Sequence, residues 1–272
     1  MPTNLDDFRS WAELKTIYRE IEWIVPRWLP RGYVTMLAAD PGVGKSLLAL
    51  TVCKMILEGG AFFDGQEISR PSLVPLKRVL WVEAEAGEPF HMSRAEVLNI
   101  NPLQMIEPRR TGQDFVTPSL SSAEDKATIA ELMNHPDVIF GVVDSLSAAT
   151  SGTDENSSQA GSHMKWLSEL SRDSGKTILV IHHMNKSGIR TRGSGSPTLA
   201  DIRGTSALLQ HARMIWTLDN PNPEDPTQLR LSCAKSNLGA KPDSVLLSNV
   251  GGVLSGYNAS VERYNAPTWY QQ

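Results

Sequence analysis

Residues 39–46 read Ala-Asp-Pro-Gly-Val-Gly-Lys-Ser, between the apolar run Tyr33–Ala38 and the helical pattern Leu47–Cys53. A strand that enters a glycine-bearing turn and leaves it as a helix is built to hold phosphate, because backbone N–H groups aimed by the helix N-terminus surround anionic oxygens. Pro41, Gly42, Val43, Gly44, Lys45, Ser46 and Leu47 would form the cradle, with Lys45 reaching the β- and γ-phosphates and the Ser46 hydroxyl on Mg²⁺. Two positions depart from the strict pattern: Ala39 stands where it has glycine, and Asp40 adds a negative charge beside the loop. Gly42 and Gly44 still permit the turn. The alternative is an ordinary strand-to-helix turn that happens to carry Gly-Lys-Ser, and the flanking strand and helix argue against it.

That turn needs a sheet around it. Arg78–Val82, Val138–Val143 and Lys176–Ile181 read as further buried strands, and helical stretches at Phe90–Leu98 and Ser162–Ser171 lie among them. Strands alternating with helices predict a parallel sheet, and the unbroken apolar run at 138–143 suits a strand covered on both faces. From Met214 onward the pattern changes to shorter extended pieces, at 214–218, 229–234 and 245–247, separated by turns of Pro, Asn and Gly. The expected fold class is α/β: a mostly parallel twisted sheet flanked by helices, with antiparallel C-terminal strands. At 272 residues, 40% hydrophobic and 21% charged, the chain suits one large domain, and two are possible but not required.

Residues 1–30 carry Phe8, Trp11, Leu14, Ile17, Tyr18, Ile21 and Trp23 at helical spacing before Pro26 and Pro30 stop the pattern. They are expected to form an amphipathic N-terminal arm ahead of an ATPase domain over 31–272, packed on that domain or docked on a neighbour. No apolar run approaches the length of a membrane span, and Cys53 and Cys233 read as reduced thiols of a cytoplasmic protein.

The formal net charge of −4 excludes nucleic-acid binding by bulk charge, so such contact requires a local basic surface. The segment Asn185–Arg203 supplies one candidate: Lys186, Arg190, Arg192 and Arg203 are spaced by glycine and serine. Such a loop would track the backbone of a single strand, and without an aromatic platform it would do so regardless of sequence. A plain surface loop with incidental arginines is the alternative.

Hydrolysis demands more than a phosphate loop. Asp144, at the end of the third strand, is placed to hold Mg²⁺ through its water shell. Glu83 and Glu85 follow the second strand and, by alternation, would point to one face, where a carboxylate polarises the attacking water. His182 and His183 end the fourth strand on opposite sides, so at most one senses the γ-phosphate. No neighbouring ligand pattern suggests a metal for that pair.

The order of these features resembles the RecA-like ATPases: phosphate loop, Ala84-Glu85, Asp144, then His182-His183-Met-Asn-Lys186, a Gly/Ser-rich loop and Arg203-Gly-Thr-Ser206. Within them it is most similar to the RepA family of plasmid-encoded hexameric replicative helicases, from about Trp23 through Gly252. Ala234-Lys-Ser-Asn-Leu-Gly-Ala240 and Gly251-Gly-Val253 carry the narrower resemblance. It implies Glu85 as catalytic base, Asp144 as metal-site acid and His182 as the residue coupling γ-phosphate state to the DNA loop. It also implies Arg213 as an arginine finger in the neighbour's site, although a cation at this helix-to-strand junction also complements a helix C-terminus. Lys235 is a second candidate for that trans contact, and Arg94 for the nucleotide or subunit boundary. Val143 before Asp144 and Ala86 after Glu85 depart from acids found in the family.

The resemblance implies an ATP- and Mg²⁺-dependent motor on single-stranded DNA, a ring-forming replicative helicase, hexameric, served by a separate primase or loader. A recombinase-type filament protein or recombination mediator shares the ATP motifs. A protein-directed regulatory or defence ATPase would hydrolyse ATP regardless of DNA.

Overall fold

The computed structural model describes residues 7–17, 20–69, 76–109, 117–150, 158–185, 195–204 and 206–257. Helix α1 (Trp11–Ile17) opens the described chain. It is capped reciprocally: the Ser10 N–H donates to Glu13 at 2.6 Å and the Glu13 N–H to Ser10 Oγ at 3.3 Å. The helix expected through most of the first thirty residues ends there. A small hairpin of β1 (Trp23–Val25) and β2 (Leu29–Pro30) follows. The reason is burial: Ile24, Val25, Trp28 and Leu29 sink into the core of the domain.

The main sheet starts with β3 (Val34–Ala39), wholly buried, which runs through the phosphate loop into α2 (Lys45–Glu58). Then come β4 (Arg78–Glu83), α3 (Glu88–Val97), β5 (Met105–Ile106), α4 (Ala123–Asn134), β6 (Val138–Asp144), α5 (Leu146–Ala149), α6 (Ser158–Ser174) and β7 (Thr177–His183). The chain closes with α7 (Ser206–Gln210), β8 (Met214–Asp219), β9 (Gln228–Ser236), β10 (Val245–Val250) and β11 (Val253–Tyr257). The nine strands are ordered β11-β10-β9-β8-β3-β7-β6-β4-β5. From β8 through β5 every pairing is parallel, and from β8 to β11 every pairing is antiparallel. The fold is therefore the α/β class read from the sequence.

Alternation along the strands divides the core in two. Leu37, Ala39, Trp81, Phe140, Val142, Leu179 and Ile181 face α2, together with Trp28, Phe62 and Trp216. Met36, Ala38, Leu80, Val82, Val143 and Val180 face residues of α4, α6 and α7. Trp28 locks the N-terminal hairpin to the far edge of the parallel sheet: its ring lies 5.9 Å from that of Trp216, its Nε1 donates to Asp64 at 2.8 Å, and its carbonyl accepts from Trp216 Nε1 at 3.1 Å. Helix α4 and strand β11 were not anticipated. Strand β11 follows a two-residue turn in which Gly251 and Gly252 both take positive φ, 59° and 82°, as a tight hairpin requires.

The parallel strands β3, β4, β6 and β7 present their C-terminal ends together, the edge of an open α/β sheet where ligands bind. The phosphate loop, Glu85, Asp144, His182 and His183 collect at that edge, whereas Arg213 and Lys235 lie at the other end of the sheet.

Candidate nucleotide site

The turn after β3 depends on two glycines in the left-handed region, Gly42 at φ 79° and Gly44 at φ 109°. Gly44 caps α2 without a side chain, leaving the first N–H groups of that helix for an anion. Lys45 is buried at the helix start, where Nζ donates to the Asp40 carbonyl at 3.2 Å. Burial pushes its pKa down, against the pull of Asp144, Glu85 and Asp40. An ammonium held among carboxylates suits contact with a polyphosphate.

Asp144 ends β6 at 3% exposure. Burial raises its pKa to about 6, opposed by a hydrogen bond with Ser46 and by the charge of His91. Among the described residues, none donates a hydrogen bond to Oδ2. A buried carboxylate with an unsatisfied oxygen, beside the Ser46 hydroxyl, fits the hard oxygen donors that Mg²⁺ takes.

The two glutamates part company. Strand β4 ends at Glu83 and Glu85 stands two residues beyond it, yet the charge of each bears on Asp144. Glu83 is fully buried, and its Oε1 accepts from the backbone N–H of Glu85 at 2.8 Å and of Gly87 at 3.2 Å. Glu85 is nearly half exposed. Its Oε1 accepts from Ser145 Oγ at 2.5 Å and lies 3.3 Å from His183 Nε2. The hydrogen bond from His183, with help from Ser145 and the charge of Lys45, holds the carboxyl down at about 2.

The histidines are likewise distinct. His182 is fully buried, with Nε2 2.8 Å from the Arg203 carbonyl. It is His183, and not His182, that the structure brings to Glu85. The stem of the basic segment is tied to the same strand end: the Arg203 N–H donates to the His183 carbonyl at 3.1 Å, and the Asn185 N–H to that of Asp201 at 2.7 Å. Lys186, Arg190 and Arg192 lie outside the described residues.

Arg213 is exposed just before β8, its N–H bonded to the Val34 carbonyl at 3.1 Å. Because β8 runs parallel to β3, Arg213 is level with the start of β3, at the opposite end of the sheet from its own phosphate loop. Lys235 is turned inward, with Nζ donating to the carbonyls of Leu209 and Ala212 at 2.7 and 2.9 Å, where it closes the end of α7. Arg94 lies on α3, near enough to His91 to oppose its charge.

Sequence reasoning missed His91. From α3 it reaches both buried acids, with Nδ1 2.6 Å from Glu83 Oε2 and Nε2 3.6 Å from Asp144 Oδ2. Burial works against its charge, but the hydrogen bond and charge of Glu83 prevail and raise its pKa. The signal available in the sequence was its place on the helix that follows the second strand. Beyond it, a cavity of about 340 Å³ opens between Leu50, Trp81, Ala95, Ile100 and Met105.

No curated protein matches the sequence significantly. Among solved structures, one described as an ATPase domain superposes with a TM-score of 0.62 at 15% identity, covering 91% of this chain and 96% of that one. A DnaB-like replicative helicase, described with its interactions with primase, gives 0.61 at 17% identity over 90% of this chain, which spans 64% of the helicase's length. The RadB recombinase gives 0.53 at 17% identity, covering 84% of this chain and 92% of that one. At such identities the likeness is one of fold. Among the described residues no helix is long and apolar enough to cross a membrane. The AAA domain profile matches residues 2–188, well over half of the sequence, and the chain belongs to that family.

Proposed function

We propose that this protein is an ATP-driven motor on single-stranded DNA, assembled as a hexameric ring and working as a replicative helicase of the cytoplasm. The carrying observation is the convergence of Lys45, Ser46, Asp144 and Glu85 at one edge of the parallel sheet, with the stem of the basic segment bonded to the neighbouring strand end. Residues 41–47 cradle the phosphates, and Ser46 with Asp144 would hold Mg²⁺. When bound, that ion neutralises phosphate charge during transfer. Glu85 aims the attacking water; at a pKa of about 2 it acts by orienting rather than by storing a proton.

His182 and His183 tie this chemistry to DNA. His183 touches Glu85, while His182 bonds the Arg203 carbonyl at the base of the segment holding Lys186, Arg190 and Arg192. A change at the γ-phosphate would pass through this strand end to the DNA-binding loop. Arg213 acts in trans. It lies a full strand length from its own loop, roughly 17 Å for six residues, so a role as arginine finger requires a neighbouring subunit. Hydrolysis is then gated by assembly, which supports a homo-oligomer, and the likeness to a DnaB-like helicase supports a partner primase or loader.

The likeness to the RadB recombinase keeps a filament-forming recombinase as the second reading. Electron microscopy with a slowly hydrolysed ATP analogue, paired with displacement of a strand from a forked duplex, separates them. Closed rings and displacement support the helicase; filaments and strand pairing without displacement support the recombinase.

A further inference from the structure

We propose that Glu83, His91 and Asp144 form a site for a borderline transition-series divalent cation, of the class of Co²⁺ or Zn²⁺, bound between His91 Nε2 and Asp144 Oδ2. The inference needs no nucleotide and does not rest on the proposed function. Ligand atoms of all three residues lie within 4.8 Å of one another. The 3.6 Å between His91 Nε2 and Asp144 Oδ2 is too long for a strong hydrogen bond, yet it suits two donors that each stand about 2.1 Å from a shared ion. No described residue donates a hydrogen bond to Asp144 Oδ2 in spite of its burial, and it so retains the capacity a cation would use.

Glu83 is built to support such an imidazole. Its Oε2 lies 2.6 Å from Nδ1, within ion-pair distance, while Nε2 points toward Asp144, the layout of a carboxylate–histidine–metal arrangement. Its own position is set by the N–H groups of Glu85 and Gly87 and by Trp81 Nε1 at 3.2 Å. The His91 ring leans on Trp81, with centroids 5.1 Å apart. Gly87 makes the approach possible: a Cβ there would stand 3.2 Å from His91 Cε1. Imidazole with carboxylate selects borderline ions over Mg²⁺, which prefers oxygen alone. Because Asp144 is shared, such an ion would occupy or border the place assigned to Mg²⁺.

The test is a titration of the nucleotide-free full chain with Co²⁺, followed by its visible absorption and by proton NMR. The expected result is one tight equivalent per chain, together with a solvent-exchangeable, hyperfine-shifted N–H from the coordinated imidazole. His91→Gln should abolish the tight equivalent, Glu83→Gln should weaken it by about 10–100-fold, and His135→Gln, at an exposed histidine, should leave it unchanged. The wild-type NMR signal stands independent of how well any variant folds. No tight equivalent, no shifted N–H, or a His91→Gln protein that binds Co²⁺ as tightly as wild type would overturn the proposal.

Discussion

His183 Nε2 lies 3.3 Å from Oε1 of Glu85, across the end of β6 from the strand that carries the glutamate. The imidazole and the Ser145 hydroxyl together keep Glu85 ionised and aimed. Glu85→Gln should lower the ATP turnover rate by about 10²–10⁴-fold while nucleotide still binds. His183→Ala should lower kcat with little change in KM for ATP, and the Glu85 carboxyl should return toward the ordinary range. Steady-state kinetics and NMR titration of the carboxyl check both. The sign for stability is fixed by the lowered pKa: Glu85 contributes above pH 4.5, and the contribution fades as pH falls from 4.5 toward 2, weakly because the group is half exposed.

Asp144 has the opposite sign. Its folded pKa of about 6 exceeds the ordinary 3.8, so stability falls as pH rises from 3.8 to 6 and stays lower above that. Asp144→Asn should stabilise the nucleotide-free protein on the order of 1–3 kcal/mol at a pH of about 7.5, and much less near the ordinary carboxylate pKa of about 4. The same variant should lose Mg²⁺-dependent ATP binding. Urea denaturation at the two pH values, with and without Mg²⁺-ATP, measures each.

Arg213 and Lys235 should separate cleanly. Lys235 closes α7 from within, so Lys235→Ala should cost about 1–2 kcal/mol of stability. Arg213 is exposed, and Arg213→Ala should leave stability within about 0.5 kcal/mol while lowering turnover at least about 10³-fold in the assembled protein. Mixing Arg213→Ala chains with Glu85→Gln chains should restore part of the turnover, as trans action requires.

Trp28→Ala should cost about 3–5 kcal/mol in urea denaturation with an unchanged m-value. The ring is fully buried against Phe62 and Trp216, and its loss also strips Asp64 of a donor.

Much of the site was legible because it is local. Gly42, Gly44, Lys45 and Ser46 fall within one short strand–turn–helix, and Asp144 and the two histidines end apolar runs whose character marks them as buried strands. His91 was not legible, since only the packing of α3 over β4 carries it to Glu83 and Asp144. The different surroundings of the two glutamates were not legible either, since only tertiary packing buries Glu83 against His91 and leaves Glu85 to Ser145 and His183. The N-terminal hairpin was missed for a related reason: the spacing of Trp23 and its neighbours mimics a helix, whereas the burial of Ile24, Val25, Trp28 and Leu29 decides in favour of strands. Gly251-Gly252 is the local signal for the hairpin that β10 and β11 form.

The most direct test of the account is the ATP hydrolysis rate with and without single-stranded DNA, at low salt and at protein concentrations that span assembly. The account predicts negligible turnover at dilution, a cooperative rise with concentration, and strong stimulation by single strands of any sequence. Turnover that is independent of both concentration and DNA would contradict it and point to an ATPase directed at a protein partner.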